Sequence, residues 1–520
     1  MMPTPSVRTV RLLAMAAAAA AFFAAPRASA QALVKMYRLT ELRADGAGQS
    51  RAYAINDQGQ AAGWVEVDEV RHSACWHNHT MTDLHGTVHF NLLHPRFNED
   101  YSEAFDISNA GQVAGTARRT VKCDTEILVT NAYLLRPAVL TDLATPYPGD
   151  ALANLGTLGN ICFGAYDSAV TALSTYGTHI VGWADREDQV IRAFIVVPQQ
   201  GMFYVDANED GVNDLMVDLG SLSSQADPVS SATAVNELGQ VTGYSYTPAG
   251  YHAFLVTPVD GAWYADVDEN GVNDLMTDLG TLGGTNSWGR DINNAGVVVG
   301  ESDFTTSAGE HYSRAFRWAA GAATDLGTLR ADSGLGFSAA SAVNENGAIV
   351  GWAENDNAER HAFIYENGAM LDLNSRLYLL NEDGRVVAPS LVLTEARDIN
   401  EDGLIVGWGV IRGSATGETR GFLLTPMWVD PAVLAQHAEE APVASIDQPS
   451  TAHVEYSSET DFGPPDDLKF GVAGETDEQA GPQTGPQRGA GFCGFGALGM
   501  LPLTTAGLCW MRVGRRRTAI

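Results

Sequence analysis

The chain has 520 residues, and 63 Asp and Glu against 31 Lys and Arg give a formal net charge of −32. A surface of that sign repels phosphate backbones and anionic lipid, and no Lys/Arg cluster offsets it within the repeated region, so nucleic acid is excluded as a partner. Five cysteines without metal-ligand spacing are too few for a disulfide-built scaffold.

At the N-terminus, Arg8 and Arg11 lead into an apolar stretch from Leu12 to Ala25, followed by Ala28-Ser29-Ala30. That order of positive, apolar and small residues predicts a cleavable export signal over 1–30, with the mature chain starting at Gln31. An uncleaved anchor needs roughly twenty apolar residues, and this run is shorter and stops at Pro26 and Arg27. Loss of Arg8, Arg11 and Arg27 leaves a mature chain of about −35, most of it read as a solvated surface that opposes aggregation.

From Ala32 to about Met427 the chain repeats itself. The segments Ala54-Ile55-Asn56 to Gly63, Asp106-Ile107-Ser108 to Gly115, Ala172-Leu173-Ser174 to Gly182 and Ala234-Val235-Asn236 to Gly243 begin the series. Asp291-Ile292-Asn293 to Gly300, Ala342-Val343-Asn344 to Gly351 and Asp398-Ile399-Asn400 to Gly407 complete it. Each predicts a hairpin, with Asn and a Gly three residues later forming the turn. Gly at the end of the next apolar run, beside Trp64, Trp183, Tyr244, Trp352 or Trp408, predicts close backbone approach next to an aromatic core filler.

A third strand follows, exemplified by Ser73-Ala74-Cys75-Trp76, His252-Ala253-Phe254-Leu255 and His361-Ala362-Phe363-Ile364. A fourth follows with Asp278-Leu279-Gly280 or its relatives at Asp83, Asp142, Asp218, Asp325 and Asp372, and because the position recurs Asp218 and Asp278 are read as structural. The seventh unit lacks its fourth strand, while Tyr37-Arg38-Leu39-Thr40-Glu41-Leu42 stands unassigned before the first hairpin. Seven four-stranded units closed by a strand from the other terminus predict an all-β, seven-bladed β-propeller over 31–427. The alternative, an open β-repeat solenoid, would need capping units, and none is evident.

His252-Ala253-Phe254-Leu255, Asp278-Leu279-Gly280-Thr281-Leu282-Gly283-Gly284 and Asn293-Asn294-Ala295-Gly296 together resemble the extracellular HAF (His-Ala-Phe) repeat family. The resemblance covers the whole array, is strongest in units four to six, and departs in units two and three, where Ser174 replaces the turn Asn. It implies an exported bacterial repeat of unassigned activity and supplies no catalytic residue. Arg or Asn in place of His252 and His361 in other units argues for packing at a strand edge.

Two loops between third and fourth strands carry oxygen donors at positions one, three, five and nine, with Gly at six. These are Asp206, Asn208, Asp210 and Asp214 in unit three, and Asp266, Asp268, Asn270 and Asp274 in unit four. Such spacing wraps oxygens around one hard cation, so a structural calcium ion is expected at these eight residues. Val217 and Thr277 stand where a bidentate Glu would complete the set, which weakens the expected affinity; Asp/Asn/Gly-rich turns without a ligand are the competing reading.

Beyond Trp428 the composition predicts a disordered acidic linker over 428–490. Residues 491–520 then hold an apolar stretch ending in Arg515-Arg516-Arg517, similar to the C-terminal sorting tails of exported bacterial proteins. This makes it the chain's membrane segment and leaves the array outside the cytoplasmic membrane. Cys123 and Cys162 either pair or, with Cys75, stay reduced and buried. No serine elbow, zinc helix, phosphate loop or dinucleotide fingerprint is present. The sequence therefore favours a surface-anchored scaffold that binds carbohydrate or protein. The alternative is a propeller-type polysaccharide hydrolase or lyase using carboxylates at the central funnel.

Overall fold

The computed structural model describes residues 32–440 other than 44–47, 79, 86–100, 123–125, 136–151, 160–166, 226–227, 307–308, 332–334 and 381–386. The expected export signal, the linker beyond residue 440, the C-terminal segment and all cysteines but Cys75 lie outside the described residues. Cys75 is buried as a free thiol.

Seven four-stranded antiparallel sheets form the blades of a β-propeller. Their innermost strands are Ser50–Ile55, Ser102–Ile107, Ser168–Leu173, Ser230–Val235, Ser287–Ile292, Ser338–Val343 and Leu391–Ile399, numbered here as blades 1 to 7. In blades 1 to 6 all four strands are consecutive in the chain. Blade 7 takes its outer strand from the N-terminus: Val34–Leu42 pairs along its length with Thr419–Val429, from Val34 opposite Val429 to Leu42 opposite Gly421. The ring is thus closed by the strand that the sequence left over, and the solenoid alternative falls away.

The array also runs past its expected end. The strand expected to stop at Met427 continues to Val429, and a helix, Pro431–Glu440, follows where linker was expected. Asp430 caps that helix by accepting the Ala432 N–H at 2.8 Å, and Pro431 supplies a preset φ at its first turn. Leu434 packs with Met36, Tyr378 and Val429 in a small apolar cluster over the closing strand.

Packing between blades explains the repeat signature. The third-strand aromatics Tyr133, Phe194, Phe254, Phe316, Phe363 and Phe422 are fully buried. The recurrent Gly of the second strand faces a bulge in the inner strand, such as the register shift between Ala340 and Ala342 opposite Gly351. A Cβ at Gly63, Gly115, Gly182, Gly243, Gly300, Gly351 or Gly407 would overlap a carbonyl oxygen of the inner strand. The first Ser of six inner strands staples neighbouring blades. Ser287 Oγ, for example, accepts the Ala253 N–H at 2.9 Å and donates to the Gly280 carbonyl at 2.6 Å. Blade 7 begins with Leu391 instead, and Asn374 takes over by bonding both the N–H and the carbonyl of Leu393.

The aromatics after the recurrent Gly are packing residues, as expected. Trp64, Trp183, Tyr244 and Trp408 are buried and Trp352 half-buried. Around the closure they also stack with arginines. Arg360 lies 4.0 Å from the Trp352 ring and pairs with Glu395, which holds Arg397 at 2.6 Å. Arg51 sits between Trp408 and Trp64, 4.6 and 5.8 Å from their centroids, and Arg71 covers Trp64 and pairs with Glu103 at 2.7 Å. Alternating cations, rings and carboxylates therefore run through blades 6, 7, 1 and 2, where dispersion and cation–π attraction act together.

Candidate functional site

The seven first hairpin turns converge on one face of the ring, around the mouth of a central cavity of about 270 Å³. Its lining side chains form layers. Nearest the mouth stand Asp57, Asn109, Tyr176, Glu237, Asn294, Glu345 and Glu401. Several accept a backbone N–H from the preceding blade: Asn109 from Asp57 at 2.8 Å, Asn294 from Glu237 at 2.9 Å, Glu401 from Glu345 at 2.8 Å and Asp57 from Glu401 at 3.2 Å. Burial raises the Glu401 carboxyl above its ordinary range against the pull of the Glu345 N–H, and the charges of Glu345, Asp57 and Asp402 add to the rise.

Beneath this rim lies a girdle of turn asparagines. Asn236 donates to the Asn293 carbonyl at 3.0 Å, Asn293 to Asn344 at 3.1 Å, Asn344 to Asn400 at 3.1 Å, and Asn400 to Asn56 at 3.0 Å across the closure. Asn56 then donates to Ser108 at 3.0 Å, where the girdle stops because blades 2 and 3 carry Ser108 and Ser174. Each such Asn also accepts N–H groups of its own turn, as Asn56 Oδ1 does from Gln58 and Gln60. The residue expected to make the turn therefore also clamps the next blade.

Deeper still are Asp106, Asp291 and Asp398. Each engages one carboxylate oxygen with its own following N–H and the other with an N–H of the next blade. Asp106 holds Ile107 at 2.7 Å and Leu173 at 2.6 Å; Asp291 holds Ile292 at 2.8 Å and Val343 at 2.7 Å; Asp398 holds Ile399 and Ile55 at 2.7 Å. Burial pushes their carboxyls up to about 7, about 6 and about 8 respectively, against the pull of the two N–H groups. Ala54, Ala172, Ala234 and Ala342 occupy this position in the other blades.

The mouth is uneven at blade 3. Its turn closes from Ser174 N–H to the His179 carbonyl, one residue wider than the Asn236 to Gln240 turn of blade 4. Tyr176 stands on that wider turn, 63 % exposed, its N–H donating to Glu237 of the next blade at 2.8 Å, and Leu238, which follows Glu237, is likewise 63 % exposed. Next to them Trp263 donates to the Gly239 carbonyl at 2.7 Å and meets His179 edge-on.

The motif histidines lie elsewhere, each against the fourth strand of its own blade. His252 and His361 bond the fourth-strand aspartates Asp278 and Asp372 of their own blades at 2.9 and 2.8 Å. Those aspartates also accept the N–H of Gly280 and Asn374 at 2.8 Å. In blade 1 the register is one residue off the expected alignment: Ala74, not Cys75, faces the recurrent Gly, which makes His72 the equivalent of His252. His72 accordingly pairs with Asp83 at 2.8 Å.

The two acidic loops have matching internal geometry. Asp206 accepts the N–H groups of Asp210 at 3.0 Å and Gly211 at 2.9 Å, and Asn208 donates to Asp210 at 2.8 Å. Asp266 likewise accepts from Asn270 and Gly271, and Asn270 donates to Asp268 at 2.9 Å. Positions one, three and five are thereby linked, whereas Asp214 and Asp274 accept the N–H at position two. Among the described residues, no three His, Cys, Asp or Glu side chains form a set able to hold a metal ion. Position eight, unassigned from the sequence, docks the loops: buried Asn213 donates to the Leu155 carbonyl and Asn273 to that of Leu219, each on the preceding blade.

A pair of neighbouring carboxylates lies on the face opposite the turns. Asp185 accepts the Asp167 N–H at 2.9 Å, and burial, with Asp167 beside it, pushes its carboxyl up to about 7. Asp167 in turn accepts the Thr130 N–H, with Arg118 stacked on Tyr101 nearby.

No protein-family model matches the chain, and no curated protein does. Solved structures similar to it include a puromycin-hydrolysing peptidase of Mycobacterium tuberculosis, with 10 % identity, TM-score 0.37, and coverage of 72 % of this chain and 50 % of the peptidase. The chain thus spans half the length of that enzyme. The β-propeller domain of the Trilobed protease from Pyrococcus furiosus has 8 % identity and TM-score 0.38, covering 76 % of this chain and 95 % of that domain. A polysaccharide lyase of the ulvan lyase family PL25 has 8 % identity and TM-score 0.35, covering 78 % and 99 %. Among the described residues, no helix is long and apolar enough to cross a membrane.

Proposed function

We propose that the protein is an exported scaffold of the HAF-repeat kind, tethered by its C-terminal segment, with the channel mouth on the turn face as its ligand-binding surface. The observation that carries this reading is the division of labour there. The carboxylates of Asp106, Asp291 and Asp398 have both oxygens engaged by backbone N–H groups, which leaves them poorly placed to exchange a proton with a bound substrate. Tyr176, by contrast, offers an exposed ring on a turn that meets Glu237 on one side and Asn109 on the other. A flat ring next to amide and carboxylate groups suits a sugar, whose C–H face stacks while its hydroxyls hydrogen-bond, and carbohydrate is the ligand class we favour over protein. Isothermal titration of an oligosaccharide library should find a ligand whose affinity Tyr176→Ala lowers at least tenfold with the melting temperature unchanged. Retention of full affinity in Tyr176→Ala would move the site elsewhere.

Calcium belongs to the proposal as a structural ion of the two acidic loops, held through Asp206, Asn208, Asp210 and Asp214 and through Asp266, Asp268, Asn270 and Asp274. The links among positions one, three and five support it. A second reading, a polysaccharide hydrolase or lyase, draws support from Asp167 and Asp185, since coupled carboxylates with raised affinity for protons suit general acid catalysis. That pair lies away from the turn-face mouth, so under this reading Asp185→Asn abolishes turnover and Tyr176→Ala does not.

A further inference from the structure

The alternation of Asp and Ala at one repeat position has a geometric logic. Each carboxylate serves two of the ring's equivalent amides, one in its own blade and one in the next. Asp106, Asp291 and Asp398 thereby cover Ile107, Leu173, Ile292, Val343, Ile399 and Ile55. Seven is odd, so one blade is left over: Val235 follows Ala234, and Ala172 stands at the Asp position of the preceding blade. An Asp in every blade would place two carboxylates on one amide and more than double the charge these positions bring to the cavity. The three that are present seal the interfaces between blades 2 and 3, 5 and 6, and 7 and 1, the last being the closure itself.

No cation balances them. Among the residues lining the cavity there is no Lys, Arg or His, and the other charged groups facing it are Asp57, Glu237, Glu345 and Glu401. Arg290 and Arg397, the neighbours of Asp291 and Asp398 on their own strands, pair with Glu301 at 2.5 Å and Glu395 at 2.6 Å. Asp398 is repelled by both Asp291 and Asp106, and Asp106 by Asp291, so the three share one electrostatic environment.

We propose that Asp106, Asp291 and Asp398 form a coupled proton-binding triad that makes the propeller a pH-responsive ring, most firmly closed in mildly acidic surroundings and loosened as the medium turns alkaline. The sign follows from linkage. A folded carboxyl that binds its proton more tightly than the unfolded chain's gives stability that is full below the unfolded value of about 4 and is lost as pH rises through the folded value. For these three groups that window runs from about 4 to about 8.

The test uses the full chain and the substitution that nature has already placed in four blades, Asp→Ala. The infrared carbonyl band of protonated carboxylic acid should be present at pH 6.5 in the wild type and reduced in Asp398→Ala. The reduction should be about one carboxyl's share, because Asp398 is itself protonated at that pH and its removal takes no charge away from the other two. Absence of the band, or a band that Asp398→Ala leaves intact, would overturn the proposal. The wild-type melting temperature should also be several degrees higher at pH 5 than at pH 8. That pH slope should flatten in D106A/D291A/D398A, or in Asp398→Ala alone if the triple variant does not fold. Surface acids titrate in every variant, so an unchanged slope would likewise overturn it.

Discussion

Gly351→Ala isolates the close approach on which every blade depends. The new methyl would overlap the Ala339 carbonyl oxygen and lie 2.9 Å from Ala340 Cα and 3.0 Å from Phe363 Cε1. Two of these three neighbours are backbone at a bulge, and the third is a ring held fully buried in the same blade. Relief requires the inner strand to move away from its partner, which strips packing from the blade 6 to blade 7 interface. Overpacking of this kind costs about 1–3 kcal/mol and occasionally more, and the rigid backbone partner puts Gly351→Ala near about 3 kcal/mol. Gly347→Ala is the control. Its φ of +79° strains any L residue, yet nothing lies within 4 Å of the added methyl, so only the left-handed cost of roughly 1–2 kcal/mol applies. Urea unfolding of residues 31–440, followed by tryptophan fluorescence, should rank wild type above Gly347→Ala above Gly351→Ala. If Gly351→Ala proves as stable as Gly347→Ala, the close-approach explanation of the repeat is wrong.

Asn400→Ala should destabilise the ring by about 1–3 kcal/mol, because it strips the buried Asn56 carbonyl across the closure and the Leu404 N–H of their partner. Asn400→Ser, the residue of blade 2, should recover part of that loss through its own turn; equal unfolding midpoints for Ala and Ser would count against the girdle. Chelation of divalent cations should lower the thermal midpoint of the array, and the double variant D206A/D266A should lose that response. Identical melts with and without added calcium would remove the ion from the account.

What could be read in the sequence was what repeats. The strand Tyr37 to Leu42 had an apolar pattern and no partner, and the seventh unit had a vacancy, so closure followed from counting. Asn56 and its equivalents were visible as turn residues, but their second bond reaches a neighbouring blade some fifty residues on, and no local pattern encodes it. In blade 1 the small residues Ser73, Ala74 and Cys75 look alike by size, and only the pairing of His72 with Asp83 fixes the register. Asp106, Asp291 and Asp398 were in view as variants of Ala, yet their meaning needs the cavity that brings them together. Asp430-Pro431 is a helix start by its residue types, but the polar composition beyond Met427 masks it. Tyr176 gave no signal except the extra residue in a diverged turn.

The claim that the turn face binds and does not catalyse is tested most directly by measuring binding and turnover on one polysaccharide panel with the same preparation. The account predicts saturable binding that Tyr176→Ala weakens, with no release of reducing ends or unsaturated products by the wild type. Product formation that Asp185→Asn abolishes while Tyr176→Ala leaves it intact would contradict it.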